Sequence, residues 1–400
     1  MNDHAFTTSM RWLLPEGIDE LLPPRAAELE RLRRELLDLF SSWGYELIMP
    51  PFIEFLDSLL TGTGHDLDLQ TFKITDQLSG RLMGIRADMT PQAARIDAHQ
   101  LRREEPSRLC YIGTVLRTRP DSIGGSRDPV QVGAELFGHD GIESDIEIIS
   151  LMVEVLRTAG ITRPYLDIGH VGIFRSLVRQ AELAPAVEAA LYDALHRKAR
   201  ADIDELLATV DAPTPVRDML SALSDLHGGI EVLDEIAEVL RPANGEVQQA
   251  LANLRGIAEL IAQRFPDLPL HFDLAELRGY RYHTGAVFAA FTPGYGRELA
   301  RGGRYDEVGR VFGGAARPAT GFSTDLKALA SLGKRESRQK PGIFADWSND
   351  PALIAEVERL RRSGERVIWA LPGQRGDARA MGCDRRLVRA PDNSWQVVPV

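Results

Sequence analysis

Apolar residues recur every three or four positions over residues 23–43. Leu29, Leu32, Leu36, Leu39, Phe40 and Trp43 share one side behind a proline start. That spacing predicts an amphipathic helix, stopped by Gly44. A short strand is expected over 45–49, ending at Pro50-Pro51. Residues 72–75 and 82–86 read as paired strands about a Ser79-Gly80 turn. Over 111–118 and 129–137 the pattern becomes two apolar runs separated by a polar, glycine-bearing loop, the mark of a long-looped antiparallel hairpin. In the second run Val130, Val132, Ala134 and Leu136 share one face, while Gln131, Gly133 and Glu135 share the other. Two readings of that polar face stand side by side. One is an ordinary wet face of a hairpin; the other is a platform, bare at Gly133, on which something small and polar lies.

Further along, 142–159 predicts a helix with an acidic start. Glu143, Asp145 and Glu147 are read as a solvated first turn favoured by the helix dipole, not as a metal site. Residues 164–170 predict a strand. From 172 to 265 the pattern is wholly helical, broken at Pro213, Gly228-Gly229 and Pro242. Strand character returns at 268–274 and through LRGYRYHTGAVFAAF and RELARGGRYDEV, whose β-branched and aromatic residues favour strands. Gly302-Gly303 reads as a turn, and 320–332 as a helix. A polar linker at 337–341 leads to a small α/β unit over 342–400: a strand, a helix at 351–363, a strand at 366–371 and weaker signals. The expected organisation is a core made of 1–171 and 266–336, a helical insertion at 172–265, and a C-terminal unit at 337–400.

Composition narrows the classes. With 44% hydrophobic and 26% charged residues the chain is an ordinary globular protein. A net charge of −11 argues against dependence on nucleic-acid phosphates. Two cysteines, Cys110 and Cys383, suit a reducing cytosol. The first residues lack the pattern of a signal peptide, and no run approaches a membrane span of about 18 residues, so a cytoplasmic protein is expected. The glycine-bearing stretch 61–70 lacks the lysine of a phosphate loop and reads as a surface loop. Asp88 and Thr90 precede Pro91 and are equally at home as helix caps. Arg278, Tyr280, Tyr282 and His283 bring a forked donor, two phenols and an imidazole within six residues, without metal-site spacing. No metal centre and no cofactor is predicted.

Taken in order, IRADMT, LRTRP with QVGAE, LRGYRYHTG, GGRYD and ATGFSTDL resemble histidyl-tRNA synthetase over about residues 11–332. The resemblance implies an α+β fold of the class II synthetase type, a mixed, mostly antiparallel sheet flanked by helices. It implies a homodimer through the first helix and the strand ending at Pro50-Pro51. It also implies that an amino acid lies on the sheet, held by Asp88, Thr90, Arg117, Gln131, Glu135 and Arg278, with Tyr282 and His283 as the aromatic pair. A free histidine would offer an ammonium to Asp88 and Gln131, a carboxylate to a guanidinium, and an imidazole N–H to Glu135. Such charge-assisted bonds are the strong ones.

The departures carry equal weight. Arg119 stands where the synthetases have an acidic residue near ATP, and Ala328 where they have the arginine for the terminal phosphate. Lys327 is adjacent but turned roughly 100° away on a helix. His283 replaces the second tyrosine, and the chain ends about 60 residues past the core. Catalytic residues are therefore expected to be absent while the amino-acid pocket is kept. That combination resembles the regulatory-subunit family of ATP phosphoribosyltransferase, synthetase paralogues that join a short catalytic subunit in the first step of histidine biosynthesis. It implies L-histidine as ligand, with feedback inhibition. A divergent histidyl-tRNA synthetase and an enzyme activating another carboxylic acid are the alternatives.

Overall fold

The computed structural model describes residues 12–61, 65–120, 125–280, 282–312, 316–334 and 341–400. It divides into two units, Met1–Arg335 and Glu336–Val400. The expected linker at 337–341 falls almost wholly outside the described residues.

Leu32, Leu36 and Phe40 recur on one side of helix α1 (Arg25–Ser42) and are buried there. The chain then gives β1 (Glu46–Leu47) and a small sheet of order β2-β4-β3, formed by β2 (Ile53–Phe55), β3 (Phe72–Thr75) and β4 (Leu82–Ile85). Asp76 shapes the β3–β4 turn, accepting from the backbone N–H groups of Leu78 and Ser79, and Gly80 supplies its positive φ of +71°. Helix α2 (Thr90–Ile96) leads to β5 (Ser107–Thr114) and β6 (Val130–Phe137), which pair antiparallel from Thr114 opposite Val130 to Ser107 opposite Phe137.

After α3 (Ile142–Thr158) and β7 (Tyr165–His170) come α4 (Val171–Gln180), α5 (Pro185–His196), α6 (Arg200–Ala208) and α7 (Thr214–Ala222). Next are β8 (His227–Gly228), α8 (Val232–Val239), α9 (Gly245–Arg264) and β9 (Leu270–Asp273). The stretch is thus not wholly helical, since β8 pairs with β9. The strands β10 (Ala286–Phe291), β11 (Ala300–Arg304) and β12 (Ala319–Asp325) complete a nine-stranded sheet, with α10 (Leu326–Leu332) after them. Its order is β1-β5-β6-β12-β11-β10-β7-β9-β8. Among the described residues of this sheet, only β1–β5 and β7–β9 pair parallel. Helices α3, α4 and α9 pack together beside the sheet around Ile146, Ile149, Phe174, Leu254 and Ile257.

Several sequence readings change here. Gly302-Gly303 lies inside β11, not in a turn. A Cβ at Gly302 would stand 2.2 Å from the Gly321 carbonyl oxygen of the neighbouring strand. Residues 319–325 are strand, so the helix expected over 320–332 is only its second half. Arg278, Gly279, Tyr280 and Tyr282 lie in turns ahead of β10, not in a strand. Asp145 is buried, not solvated. It pairs at 3.0 Å with Arg304, which also donates to Ser144 Oγ and the Gly141 carbonyl. Glu147 is engaged by Arg108 at 2.7 Å and by the Tyr45 hydroxyl.

The Glu336–Val400 unit forms a four-stranded sheet of order β14-β13-β15-β16: β13 (Gly342–Asp346), β14 (Val367–Ala370), β15 (Cys383–Arg389) and β16 (Trp395–Pro399). The weaker signals were its last two strands. Helix α11 (Pro351–Arg362) is capped by Asp350 and buries Leu353, Val357 and Leu360. Cys110 and Cys383 are both unpaired and buried. Among the described residues no helix is long and apolar enough to cross a membrane, and no three His, Cys, Asp or Glu are placed to hold a metal ion.

Candidate functional site

In the central sheet, Gln131 and Glu135 leave β6 on one face, and the register sets their neighbours. Tyr111 of β5 lies opposite Gly133, and Ser323 of β12 flanks it on the other side. Glu135 lies opposite Gly321, which lies opposite Gly303 of β11. The polar face of β6 is not wet: Gln131 is 4% exposed and Glu135 1%. Nor is the platform bare at Gly133, because the ring of Tyr111 covers it. A Cβ there would come within 2.3 Å of that ring. Gly321 is needed for the same reason, since its Cβ would stand 1.6 Å from Glu135 Oε2.

Glu135 is clamped. The Tyr111 hydroxyl donates to one carboxylate oxygen at 2.8 Å, and the Tyr305 hydroxyl donates to the other. Thr90 Oγ1 lies 2.9 Å from the Tyr111 oxygen and extends the chain of bonds. Burial pushes the Glu135 carboxyl up to about 7, against the opposing effect of these hydroxyls. The Gln131 side chain is fixed at both ends. Its Nε2 donates to Asp88 Oδ1 at 2.8 Å, and its Oε1 accepts from the Met89 N–H at 2.8 Å. Asp88 Oδ1 also accepts the Thr90 N–H at 2.9 Å, so Asp88 serves the start of α2 and the site together.

The second wall comes from the turn before β10. Arg278 is held by Glu276 at 3.0 Å and by Glu298. The rings of Tyr282 and His283 lie 4.3 Å apart, with Tyr282 exposed and His283 buried. Burial pushes His283 down to about 4, so its imidazole is neutral near pH 7. Its Nδ1 lies 3.1 Å from the Arg278 carbonyl. A carbonyl only accepts, so Nδ1 carries the proton and Nε2 is an acceptor.

Asp88, Thr90, Arg117, Gln131, Glu135, Arg278, Tyr282 and His283 all line one cleft of about 1110 Å³. Arg117 reaches the Ala87 carbonyl at 3.3 Å. Arg119 and Ala328 line the same cleft. Lys327 is drawn to Asp128 at 2.8 Å. Ala328 carries no charge into the cleft, and its neighbour Lys327 is engaged by Asp128. Sequence reasoning assigned no role to Tyr111 or Tyr305. The one available signal was Tyr111 itself, which hairpin pairing sets against Gly133. Chemically, the site offers acceptors at Asp88, Glu135 and His283 Nε2 and guanidiniums at Arg117 and Arg278, a set matched to a small zwitterion carrying an extra N–H.

The fold is that of the class II synthetases, and this cleft lies on its central sheet. Residues 17–329 match the family model described as Histidyl-tRNA synthetase, and 340–398 match the ATP phosphoribosyltransferase subunit HisZ C-terminal domain. A histidyl-tRNA synthetase structure from Nostoc sp. PCC 7120 superposes with a TM-score of 0.77 at 17% identity, covering 97% of each chain, a likeness of fold. A Bacillus halodurans structure described as an ATP phosphoribosyltransferase regulatory subunit/histidyl-tRNA synthetase gives 0.80 at 27% identity, covering 92% of this chain and 95% of that one. The ATP phosphoribosyltransferase regulatory subunit of Alkalilimnicola ehrlichii is 63% identical over 402 residues, 100% of both chains. The chain belongs to the family of ATP phosphoribosyltransferase regulatory subunits.

Proposed function

We propose that this chain binds free L-histidine in the Glu135 cleft and passes its occupancy to a short-form ATP phosphoribosyltransferase catalytic subunit, which it activates and makes sensitive to histidine. The observation that carries the reading is the buried Glu135 carboxylate, oriented by two tyrosine hydroxyls beside the fixed Gln131–Asp88 pair. The ligand ammonium goes to Asp88, next to Gln131 and Thr90. Its carboxylate goes to Arg117 and to Arg278, which Glu276 and Glu298 orient. The imidazole lies between Glu135 and His283 beside Tyr282, one ring N–H donating to the carboxylate. A site that pairs each polar group rejects ligands lacking one.

The alanine at 328 and the Lys327–Asp128 pair support a subunit without adenylating chemistry of its own. The exposed apolar Leu47, Met49, Phe52 and Ile53 support a homodimer through this face within a hetero-oligomer. Two unpaired cysteines support a cytoplasmic setting. Tenfold inhibition needs about 1.4 kcal/mol of coupling between the histidine site and the partner's active site. The test mixes the purified subunits and assays phosphoribosylation of ATP with and without histidine, for the wild type and for Glu135→Ala. Truncating one partner of a desolvated charge pair costs about 2–5 kcal/mol, so Glu135→Ala is expected to bind histidine at least ~30-fold more weakly while still activating. Inhibition that survives in a variant shown not to bind histidine rules this chain out as the sensor.

A further inference from the structure

The 172–265 segment does more than sit beside the cleft. Ala189, Tyr192, Asp193 and His196 of α5 all line it. Their spacing of three, four and seven positions is that of one helix face. One face of α5 is therefore a wall of the cleft.

The turn carrying Arg278 and His283 is held by the same segment. The Tyr192 ring stacks on Tyr280, centroids 4.4 Å apart and planes 26° from parallel. Tyr280 in turn meets the Phe174 ring of α4 edge-on at 5.9 Å. Lys198, just past α5, pairs with Asp273 at 2.8 Å, at the end of β9. Arg175 of α4 donates to the His283 carbonyl at 2.8 Å. Between these supports the turn presents Arg278, Tyr282 and His283 to the cleft.

We infer that Tyr192 is a positioning residue of the amino-acid site: its ring braces Tyr280 and so sets the turn that aims Arg278 and His283, coupling α5 to occupancy. The inference rests on the reading of the cleft as a histidine site. A stacked aromatic pair of this geometry is worth about two- to tenfold in an equilibrium constant. The stack needs a ring but not a hydroxyl.

The test titrates histidine calorimetrically into the full-length wild type, Tyr192→Ala and Tyr192→Phe, and follows amide exchange across Pro185–His196. Tyr192→Ala is expected to weaken binding about two- to tenfold while still unfolding cooperatively. Tyr192→Phe is expected to bind within about twofold of wild type. Histidine is expected to slow exchange in α5 of the wild type, and less so in Tyr192→Ala. Should Tyr192→Ala melt early, Tyr192→Leu, which keeps bulk without a ring, gives the same comparison. Undiminished binding without the ring, failure of phenylalanine to restore it, or α5 exchange indifferent to histidine each overturn the inference. Wild-type protein that binds no histidine overturns the site reading itself, a distinct outcome.

Discussion

Replacing Glu135 by glutamine removes one ionisable group from the most buried corner of the cleft while nearly preserving its shape. Burial holds the native carboxyl at about 7, above its ordinary value of 4.5. Between those two values the folded chain binds more protons at this position than the unfolded chain does, so stability falls as pH rises. The contribution is fully present below about pH 4.5 and is lost as pH approaches and passes 7. An interval of about 2.5 units, at about 1.4 kcal/mol each, amounts to on the order of 3 kcal/mol. Denaturant unfolding of wild type and Glu135→Gln, ligand-free, across pH 4.5–8.5, isolates this quantity. The C-terminal unit is identical in both proteins and cancels in the difference. The wild-type stability minus that of the variant is expected to fall across this range and level off above pH 7. A flat difference, or one that rises with pH, refutes the argument that Glu135 is held in a carboxyl-raising environment.

Three further outcomes follow from the same geometry. Gly321→Ala places a Cβ 1.6 Å from Glu135 Oε2, so a stability loss of about 1–3 kcal/mol and at least tenfold weaker histidine binding are expected. Gly245→Ala meets nothing within 4 Å and is expected to leave both unchanged within about 1 kcal/mol, by denaturation and calorimetry. Histidine-dependent exchange of pyrophosphate into ATP is expected to be absent. Removing a transition-state donor costs about 10²–10³ in rate, and Ala328 offers no charge in this cleft. Robust exchange above a contaminant control refutes that expectation.

What the sequence disclosed was mostly local. Periodicity located α1, α3, the β5–β6 hairpin and the helices of 172–265, because each pattern is written within a dozen neighbouring residues. Parity gave which residues share a face of β6 but not which face is covered. Covering comes from Tyr111 and Tyr305, and Tyr305 stands 170 residues from Glu135. Asp145 looked solvated for the same reason: its partner Arg304 is 159 positions away. Gly302-Gly303 imitated a turn because the demand for glycine arises across the sheet, from the Gly321 carbonyl and the His283 ring. Resemblance to a family named the polar residues that line one cleft; the tyrosine clamp was not legible, because it depends on strand register.

The two-residue strand β8 has a consequence for how the chain acquires its shape. His227 and Gly228 lie amid the helices, yet they form the outermost rung of the main sheet, and the Leu274 N–H reaches back to the Leu226 carbonyl at 3.2 Å. β7 precedes that segment and β9 follows it, their paired residues Leu166 and Leu270 more than a hundred positions apart. Closing so long a loop is entropically costly unless the intervening chain has already condensed. The helices of 172–265 thus act as a splice that brings the two strands within reach, and β8 seals the edge they would otherwise leave open to another chain. Excising the segment would not lift off an accessory. It would unpick the border of the sheet, and ribosomal synthesis must pass residue 270 before that border can close.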